Sequence, residues 1–396
     1  MAKGMYIGVN SLAGKVKKAY IGVSGVAHKI KKMYIGVGGV ARLCWSGETY
    51  KTLISGNVSG SNVYDFFEST ANPPSTFTSL TNPTGATMGN TDVIYDEINK
   101  RFVAVYNYSI SQKKIWVMPV DSNAWTLWTL TLTGATTGST LQNCTSIDQD
   151  GNIILFSYSS SSYYIWSVDS SGSATRKNAN SQGSRIKYLN GKYFRSLVYS
   201  TTVTGTVTNY SPAAGLNPGS TYDFDTYYDV NNAPAIHYYN STYYAKISYT
   251  GSASTKRHFI RKSTDLSSWT TIFDKNSEAS TGYNYLLPMF FKNNEVYFNV
   301  PFVEANQNNA NYPFQSKGVW KVVFENSAPT KVSNTILSEH YYCPTHHDGK
   351  KYLSYGKDAN TSMNVHYSTN ASTWTLAANI TGLNTYPYWM ACAKVE

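Results

Sequence analysis

The sequence predicts an all-β protein: a seven-bladed β-propeller preceded by an N-terminal arm of short β-hairpin repeats. Three observations predict this fold. Aromatic residues make up 15% of the 396-residue chain and charged residues only 14%, a composition that suits strands and tight turns better than helices. A 14-residue repeat occupies the N-terminus. A coarser repeat of about 50 residues, the length of one four-stranded blade, runs through the remainder.

Residues 5–45 contain three copies of the short repeat, which begin at Met5, Ala19 and Met33. Each copy has a short apolar strand, a turn of Gly, Asn or Ser, and a second strand that alternates basic with apolar residues. Small hairpins bury little surface on their own. We therefore expect the arm, residues 1–47, to need a partner surface.

The positive charge of the chain is concentrated in this arm. The chain has 33 Lys and Arg residues, 23 Asp and Glu residues and a net charge of +10; eight of the cations precede the first acid, Glu48. Three interpretations of the arm's lysines stay open: protection of exposed strand edges, docking on an acidic protein surface and, less expected in a segment with one arginine, nucleic-acid binding. The predicted docking residues are Tyr6, Lys15, Lys17, Lys18, Tyr20, Lys29, Lys31, Lys32, Tyr34 and Arg42.

The sequence of the arm shows a family resemblance. Its units read Tyr-Ile-Gly-Val-(Gly/Ser)-Gly-Val-Ala-(Arg/His), are joined by Lys-(Val/Ile)-Lys-Lys, and end in Trp45-Ser-Gly47. This resembles the N-terminal segments of structural proteins of phages that infect Gram-positive bacteria. In those proteins such a segment precedes a variable C-terminal domain, so the resemblance implies a virion context.

The body, residues 48–396, repeats a hydrophobic strand, a turn built on Asn, Asp or Gly, and an aromatic strand six times. These units begin at residues 93, 145, 185, 235, 289 and 344. A seventh first strand, 386–393, lies near the C-terminus, and strands within 49–80 would supply its missing partners. Pairing the two ends would close a ring of seven blades, with six or eight blades as alternatives.

The outer halves of three blades share the pattern (Asp/Asn)-x-x-x-Trp-Thr. It resembles the Asp-box turn of sialidase-type propellers, with Ser267 and Ser372 where glycine is usual. The resemblance implies a structural role, and a short polar side chain can accept backbone N–H bonds within such a turn. The predicted structural turns contain Asp121 and Trp125, Asp265 and Trp269, and Asn370 and Trp374.

The same resemblance raises the question of glycosidase activity. A sialidase-type site needs three arginines that hold a carboxylate, and the seven arginines of this chain match neither the motif nor the blade positions. Another hydrolase would need two carboxylates beside one sugar bond. The candidates, which we interpret as solvated loop residues, are Asp223, Asp225, Asp229 and Glu339.

The cluster His346-His347-Asp348 has the residue types of a metal site. It occupies the same turn as Asn190-Gly191 in another blade, which favours a hairpin turn. Neither a phosphate-binding loop nor a nucleophile motif is present. We therefore predict a protein that is not an enzyme, with no catalytic residue, metal or cofactor.

The N-terminus, the apolar runs and the cysteines indicate the cellular compartment in which the protein is made. The N-terminus has no apolar core of the kind found in signal peptides, and no apolar run is long enough for a transmembrane helix. We expect synthesis in the host cytoplasm and no contact with a membrane. The cysteines are far apart in sequence and are expected to be buried thiols: Cys44, Cys144, Cys343 and Cys392.

Aromatic residues cluster where the chain enters the predicted first strands. These connections lie on one face of a propeller, and a ring of tyrosines there can stack on sugars. The alternative is that these rings pack between blades. The predicted glycan-binding residues are Tyr227, Tyr228, Tyr283, Tyr285, Tyr341, Tyr342, Tyr386, Tyr388 and Trp389.

The sequence therefore predicts a phage virion protein, a tail fibre or receptor-binding component whose propeller binds a glycan of the host cell surface. Its expected partners are other virion proteins, through the arm, and that glycan, and the particle could contain it as a homo-oligomer. One alternative is a head or tail decoration protein with a purely structural role. The other is a hydrolase of cell-wall polysaccharide.

Overall fold

The structure is a computed structural model. It describes residues 6–9, 12–15, 19–23, 26–30, 32–37, 40–46, 49–57, 64–71, 73–80, 91–106, 113–132, 140–159, 162–180, 186–195, 198–200, 208–209, 222–223, 236–250, 256–277, 288–292, 295–300, 316–323, 328–338, 345–347, 351–359, 362–381 and 389–395. Every regular element within these ranges is a β-strand, so this part of the chain is all-β.

The N-terminal repeats form three two-stranded antiparallel hairpins. Their strands are β1 (Tyr6–Val9) with β2 (Leu12–Lys15), β3 (Ala19–Val23) with β4 (Val26–Ile30), and β5 (Lys32–Val37) with β6 (Val40–Ser46). The register is the same after each shift of 14 residues, with Tyr6 opposite Lys15, Tyr20 opposite Lys29, and Tyr34 opposite Leu43.

The second strand of each hairpin begins earlier than the alternation of basic and apolar residues predicted. In the first hairpin only two residues separate the paired Val9 and Leu12, so the second strand begins three residues before Lys15, where the alternation starts. A two-residue connection is the shortest that joins antiparallel strands in a regular hairpin. Three of the predicted docking residues lie outside the described residues: Lys17, Lys18 and Lys31.

Three strands follow the hairpins: β7 (Thr49–Asn57), β8 (Tyr64–Ser69) and β9 (Thr78–Leu80). Three blades of four strands come next. Blade 1 contains β10 (Thr91–Asp96), β11 (Arg101–Tyr106), β12 (Lys113–Pro119) and β13 (Thr126–Leu130). Blade 2 contains β14 (Thr140–Ile147), β15 (Ile153–Ser159), β16 (Ser162–Val168) and β17 (Ala174–Asn180). Blade 3 contains β18 (Ile186–Leu189), β19 (Lys192–Arg195), β20 (Val198–Ser200) and β21 (Thr208–Asn209).

Three further blades complete a set of six that are built from consecutive strands, a β-propeller arrangement. Blade 4 contains β22 (Tyr222–Asp223), β23 (Ile236–Tyr239), β24 (Thr242–Thr250), β25 (Lys256–Ser263) and β26 (Thr270–Ser277). Blade 5 contains β27 (Pro288–Lys292), β28 (Glu295–Val300), β29 (Gly318–Val323) and β30 (Thr330–Ser333). Blade 6 contains β31 (Thr345–His347), β32 (Tyr352–Ala359), β33 (Ser362–Ser368) and β34 (Thr375–Thr381).

The last strand, β35 (Trp389–Val395), pairs antiparallel with β7, so that Trp389 lies opposite Ser55 and Val395 opposite Thr49. We call the resulting sheet, in the order β35-β7-β8-β9, the closing sheet. The sequence predicted this strand at 386–393. The described strand extends two residues beyond the predicted end, and the predicted residues 386–388 lie outside the described ranges.

The hairpin turns follow from their residues. Asn190 and Gly191 have φ values of 47° and 75°, and Asn240 and Ser241 have values of 47° and 59°. Two consecutive positive φ values define the two-residue turn whose twist matches that of paired strands, and Asn and Gly adopt them at low cost. These positions are the predicted turns of blades 3 and 4.

The core consists of clusters between neighbouring sheets. Phe102, Val103, Ala104 and Val105 on β11 are each at most 1% exposed, because one side of the strand packs toward the closing sheet and the other toward blade 2. Comparable clusters join blades 2 and 3, 3 and 4, 4 and 5, and 5 and 6, and blade 6 to the closing sheet. The second strand of blade 1 is therefore apolar on both faces.

Candidate functional site

The predicted glycan-binding residues fall mainly outside the described residues. Of the nine, the structure describes the backbone of Trp389, which begins the inner strand of the closing sheet. The eight tyrosines, from Tyr227 to Tyr388, lie in undescribed ranges. This site therefore stays a prediction.

Strand direction divides the described turns between the two ends of the blades. First and second strands are antiparallel and joined by short turns, so all inner strands begin at one end and finish at the other. The turns from second-to-last to last strand lie at the finishing end as well. We call this the turn end, and the other the entry end, because the predicted glycan-binding residues precede or begin inner strands.

One stretch at the entry end, Ser333–Ser338, is described. The buried Asn299 side chain clamps it: its Nδ2 donates to the carbonyl of Ser338 at 3.0 Å, and its Oδ1 accepts from the N–H of Leu337 at 3.2 Å. Both Leu337 and Ser338 are at most 2% exposed. A buried amide that uses both ends in this way fixes a loop, so the connection from blade 5 to blade 6 has a defined shape.

At the turn end, two of the predicted structural turns have nearly identical geometry. The Asp265 Oδ1 atom accepts from the N–H groups of Ser267 and Ser268 at 2.8 and 2.9 Å, and the Ser263 hydroxyl accepts from the N–H of Leu266 at 2.8 Å. The Trp269 Nε1 donates to the Leu266 carbonyl at 3.1 Å. The turn thus satisfies its own backbone while the indole packs into the blade.

The second turn repeats these contacts 105 residues later, in blade 6. Asn370 Oδ1 accepts from Ser372 and Thr373 at 2.9 and 2.8 Å, and Trp374 Nε1 donates to the Ala371 carbonyl at 3.2 Å. The residue after the Asp or Asn has a positive φ in both turns, 67° at Leu266 and 69° at Ala371. An amide oxygen therefore performs the same task as a carboxylate.

The third predicted turn, in blade 1, is built differently. Pro119 stands where the other two turns have a serine, and the Ser122 hydroxyl, not Asp121, accepts from the N–H of Ala124 at 3.0 Å. The Trp125 ring instead packs on Phe66 of the closing sheet, with centroids 4.9 Å apart. The pattern of Asp and Trp did not reveal this difference. In the other two turns a serine two positions before the Asp or Asn accepts a backbone hydrogen bond, and this serine is not part of the pattern.

The hydrogen bonds at Asp265 also set its acidity. The N–H of Ser268, then the hydroxyl and N–H of Ser267 and the hydroxyl of Ser263, hold the pKa of the Asp265 carboxyl below its usual value of 3.8. Because the pKa is depressed in the folded state, this carboxylate contributes stability above its unfolded pKa, and the contribution is lost as the pH falls through the folded pKa.

We therefore expect Asp265→Asn to retain the wild-type stability at neutral pH, as Asn370 does the same work, and to lose less stability than wild type below about pH 3.8. Denaturant unfolding of both proteins across that pH range measures the difference. Asp265→Ala, which has no acceptor, should be destabilised at neutral pH. Parallel pH curves for wild type and Asp265→Asn would contradict the assignment.

Adjacent blades are joined by tyrosine hydroxyls that sequence reasoning did not single out. Tyr193 of blade 3 donates to Asp148 Oδ2 in the turn of blade 2 at 3.1 Å, and Tyr243 of blade 4 accepts from Asn190 Nδ2 in the turn of blade 3 at 2.9 Å. Burial, and then the charge of Asp148, raises the pKa of Tyr193. The recurrence of Asp or Asn at one turn and Tyr in the next blade was the available signal.

Glu295 lies in a polar cluster of blade 5. Its carboxylate accepts from Tyr297 Oη and Lys321 Nζ, each at 2.5 Å. Burial by itself would raise the pKa of Glu295, but these hydrogen bonds outweigh it and the pKa lies below its usual value. Tyr297 is 2% exposed and stacks on Phe290, with centroids 4.5 Å apart, so the cluster supports packing and offers no exposed nucleophile.

The three arginines whose side chains are described do not converge. Arg101 Nε lies 2.8 Å from Asp96 Oδ2 in blade 1, Arg176 lies over the Tyr164 ring in blade 2, and Arg261 donates to the Trp269 carbonyl in blade 4. Arg101 also donates to the Ser170 carbonyl of blade 2 at 3.4 Å. Within the described residues the three arginines do not form a site that binds a carboxylate.

The weighed catalytic candidates fall largely outside the described side chains. The backbones of Asp223, His346 and His347 belong to strands β22 and β31, and the remaining candidates, Asp225, Asp229, Glu339 and Asp348, lie in undescribed ranges. Among described residues no group of His, Cys, Asp and Glu is arranged to hold a metal ion. Cys392 is a buried thiol whose Sγ lies 3.5 Å from Thr52 Oγ1.

No protein-family model matches the chain, and no curated protein matches it. Solved structures do resemble it. A proposed 6-phosphogluconolactonase from Bacteroides fragilis has a TM-score of 0.49 at 14% identity, over 88% of this chain and 98% of that one. A second proposed 6-phosphogluconolactonase, from Bacteroides uniformis, has a TM-score of 0.48 at 14% identity, over 87% of this chain and 99% of that one. A Trypanosoma rangeli sialidase mutant has a TM-score of 0.35 at 10% identity, over 74% of this chain and 49% of that one.

At these TM-scores and identities the resemblances carry no argument about activity. In the part of the chain that the structure describes, no helix has the length and apolar character needed to cross a membrane.

Proposed function

We propose that this chain is a phage virion protein in which the hairpin arm docks on the particle and the body binds a glycan of the host surface. The observation that carries the proposal is the arm: three basic hairpins with one register at a spacing of 14 residues. Isolated hairpins of this size are marginally stable. A repeated, basic and phage-like segment of this kind is therefore suited to an acidic partner surface.

We also propose that the closing sheet is the seventh blade of a closed ring. Its residue Phe66 packs with Phe102 of blade 1, and its residue Ile54 packs with Tyr355 and Val365 of blade 6. A sheet packed on both sides in this way leaves no lateral face of a blade bare. Joining the two chain ends in one blade also holds the last strand in place.

We place the proposed glycan-binding site at the entry end of the body. The body is nearly neutral, since most of the excess charge precedes Glu48, and wall or capsule glycans are recognised by aromatic stacking and hydroxyl hydrogen bonds more than by charge. The turn end is occupied by backbone hydrogen bonds within the turns and by contacts between blades. The entry end is thus the better candidate for a ligand.

For the glycan site, we expect the full chain to bind host cells and host wall polysaccharide, and Tyr341→Ala with Tyr342→Ala to weaken that binding roughly tenfold or more, as loss of aromatic anchors does in other interfaces. Leu376→Ala, at an exposed residue of the outer strand β34, is the control. A glycan array and a cell-adsorption assay give the readout. Unchanged binding by the double variant would reject these tyrosines, and release of reducing sugar would instead indicate a hydrolase.

For the arm, we expect Lys15→Glu with Lys29→Glu to reduce the copies of the protein per purified particle, because the change places acids against an acidic surface. Lys177→Glu with Lys317→Glu, at exposed positions of the body, changes the net charge equally and should have no effect. Quantitative immunoblotting measures the copies. Immunogold labelling gives the location: the tail tip favours receptor binding, and uniform capsid labelling favours decoration.

A further inference from the structure

The outer edges of the blades differ in how well they are protected against pairing. An outer strand leaves a row of backbone N–H and C=O groups open, and proteins guard such edges by short strands, by β-bulges that twist the edge, or by charged side chains. The blades of one ring can be compared position by position. Such a comparison shows which edge lacks protection.

Four outer strands carry a bulge at their third or fourth residue. The pairing of each with its neighbour shifts by one residue, and the extra residue is Lys177 in β17, Ile272 in β26, Val332 in β30 and Ala377 in β34. The first three of these strands also contain charged residues. The described parts of two further outer strands are shorter, with three residues in β9 and two in β21, and both border residues outside the described ranges.

The outer strand of blade 1, β13, has none of these features. Its five residues, Thr126–Leu130, pair with β12 without a shift, and none is charged. Thr126 and Thr129 are exposed, and Leu127 is 37% exposed. Among the described strands, β13 pairs with β12 alone.

Contacts of the Trp128 ring hold strand β13 in a fixed conformation. The Arg101 guanidinium lies 4.8 Å from the centre of the Trp128 ring, and Gly172 of blade 2 packs so close that a Cβ there would stand 3.1 Å from Trp128. Fixing a strand in advance reduces the entropy that pairing with another chain would cost. The edge of β13 is therefore both open and preorganised.

We propose that β13 pairs with β13 of a second copy of this chain, antiparallel and centred on Trp128. This register places Trp128 opposite its own copy and Leu127 opposite Thr129, and the remaining pair joins Thr126 and Leu130. Aromatic pairs and neutral pairs stabilise antiparallel strands. The chain has a net charge of +10, but no residue of β13 is charged, so like charges would not face each other in this ladder.

Two-fold dimers are the commonest homo-oligomers, and antiparallel pairing of one edge with its own copy has this symmetry. The contact is small, so it should be weak in solution and effective where chains are held side by side. It lies on the outer rim of the propeller, which leaves the turn end and the entry end open. It is therefore compatible with the proposed function without depending on it.

Disulfide trapping in the full chain tests the register. Leu127→Cys with Thr129→Cys should give a covalent dimer under mild oxidation, because each new cysteine faces the other in the second copy, while either single substitution should give much less. The matched control is Leu376→Cys with Ala378→Cys on β34, a neutral edge interrupted by its bulge. No more dimer from the β13 pair than from the β34 pair would overturn the proposal.

Sedimentation equilibrium gives an independent test without cysteines. Wild type should show a monomer–dimer equilibrium, and Leu127→Lys should raise its Kd about tenfold or more, because the two-fold axis introduces the change twice. Leu127 is partly exposed, so the variant should fold, and circular dichroism checks this. A wild type that is monomeric up to its solubility limit, or an oligomer insensitive to Leu127→Lys, would contradict pairing through β13.

Discussion

Replacing Lys51 with alanine is expected to lower the free energy of unfolding by about 3–5 kcal/mol, the usual cost of removing one partner from a buried ion pair. The Lys51 and Glu68 side chains are 3% and 9% exposed, with Nζ 3.0 Å from Oε2. Lys51 also donates to the Ser122 carbonyl at 2.5 Å and to Asn123 Oδ1 at 2.7 Å. Without it, Glu68 would keep a buried charge with Asn123 Nδ2 as its donor.

Chemical unfolding of wild type and Lys51→Ala measures the loss. Lys177→Ala, an exposed lysine on β17, is the control and should change stability by less than about 0.5 kcal/mol. A second variant separates charge from packing: Lys51→Met with Glu68→Leu removes both charges and should recover much of the loss. If Lys51→Ala were no more destabilising than Lys177→Ala, the Lys51 side chain would not hold the closing sheet to blade 1.

The contacts of Lys51 link the closing sheet to blade 1. Lys51 lies on β7 and Glu68 on β8, both in the closing sheet, whereas Ser122 and Asn123 belong to the turn of blade 1. The closing sheet combines β35 with strands from the start of the body, so its attachment depends on both ends of the body. Weakening this contact should therefore lower the cooperativity of unfolding as well as the stability.

Much of the fold follows from local patterns in the sequence. The recurring strand, turn and aromatic strand predicted the first hairpin of each blade, and Asn190-Gly191 illustrates why: the pair adopts the positive φ values that a two-residue turn requires. Strand ends were less predictable. The closing strand runs to Val395 because Lys394 and Val395 find partners in Tyr50 and Thr49, a pairing between residues more than 340 positions apart.

The sequence was less informative about contacts between blades. The hydroxyl bond from Tyr193 to Asp148 joins blades 3 and 2, and the Lys51 ammonium joins the closing sheet to Ser122 and Asn123 of blade 1. The recurring Asp or Asn and Tyr hinted at the first contact, whereas nothing in the sequence around Lys51 indicated the second. The Asp-box pattern predicted the contacts seen at Asp265 and Asn370 but also included Asp121, where a proline replaces the serine. The bulges of the outer strands have no residue signature, since Lys177, Ile272, Val332 and Ala377 share no chemistry.

Gly318→Ala is expected to destabilise the protein by about 3–5 kcal/mol, from backbone strain and overpacking together. Gly318 begins β29 with a φ of +136°, which L-residues rarely adopt, and an added Cβ would overlap the carbonyl oxygen of Ser333. That oxygen belongs to the backbone at the end of β30, so it cannot rotate away. The two strands would have to separate where the bulge of blade 5 already disturbs their pairing.

Gly191→Ala separates the two contributions. Gly191 has a φ of +75° and open space around the position of a Cβ, so its substitution should cost only the strain of a left-handed backbone, about 1–2 kcal/mol. The excess loss in Gly318→Ala then measures the close approach of β29 and β30. Equal losses in the two variants would mean that the strands yield at Gly318, and that the tight contact with Ser333 contributes little to holding the outer edge of blade 5.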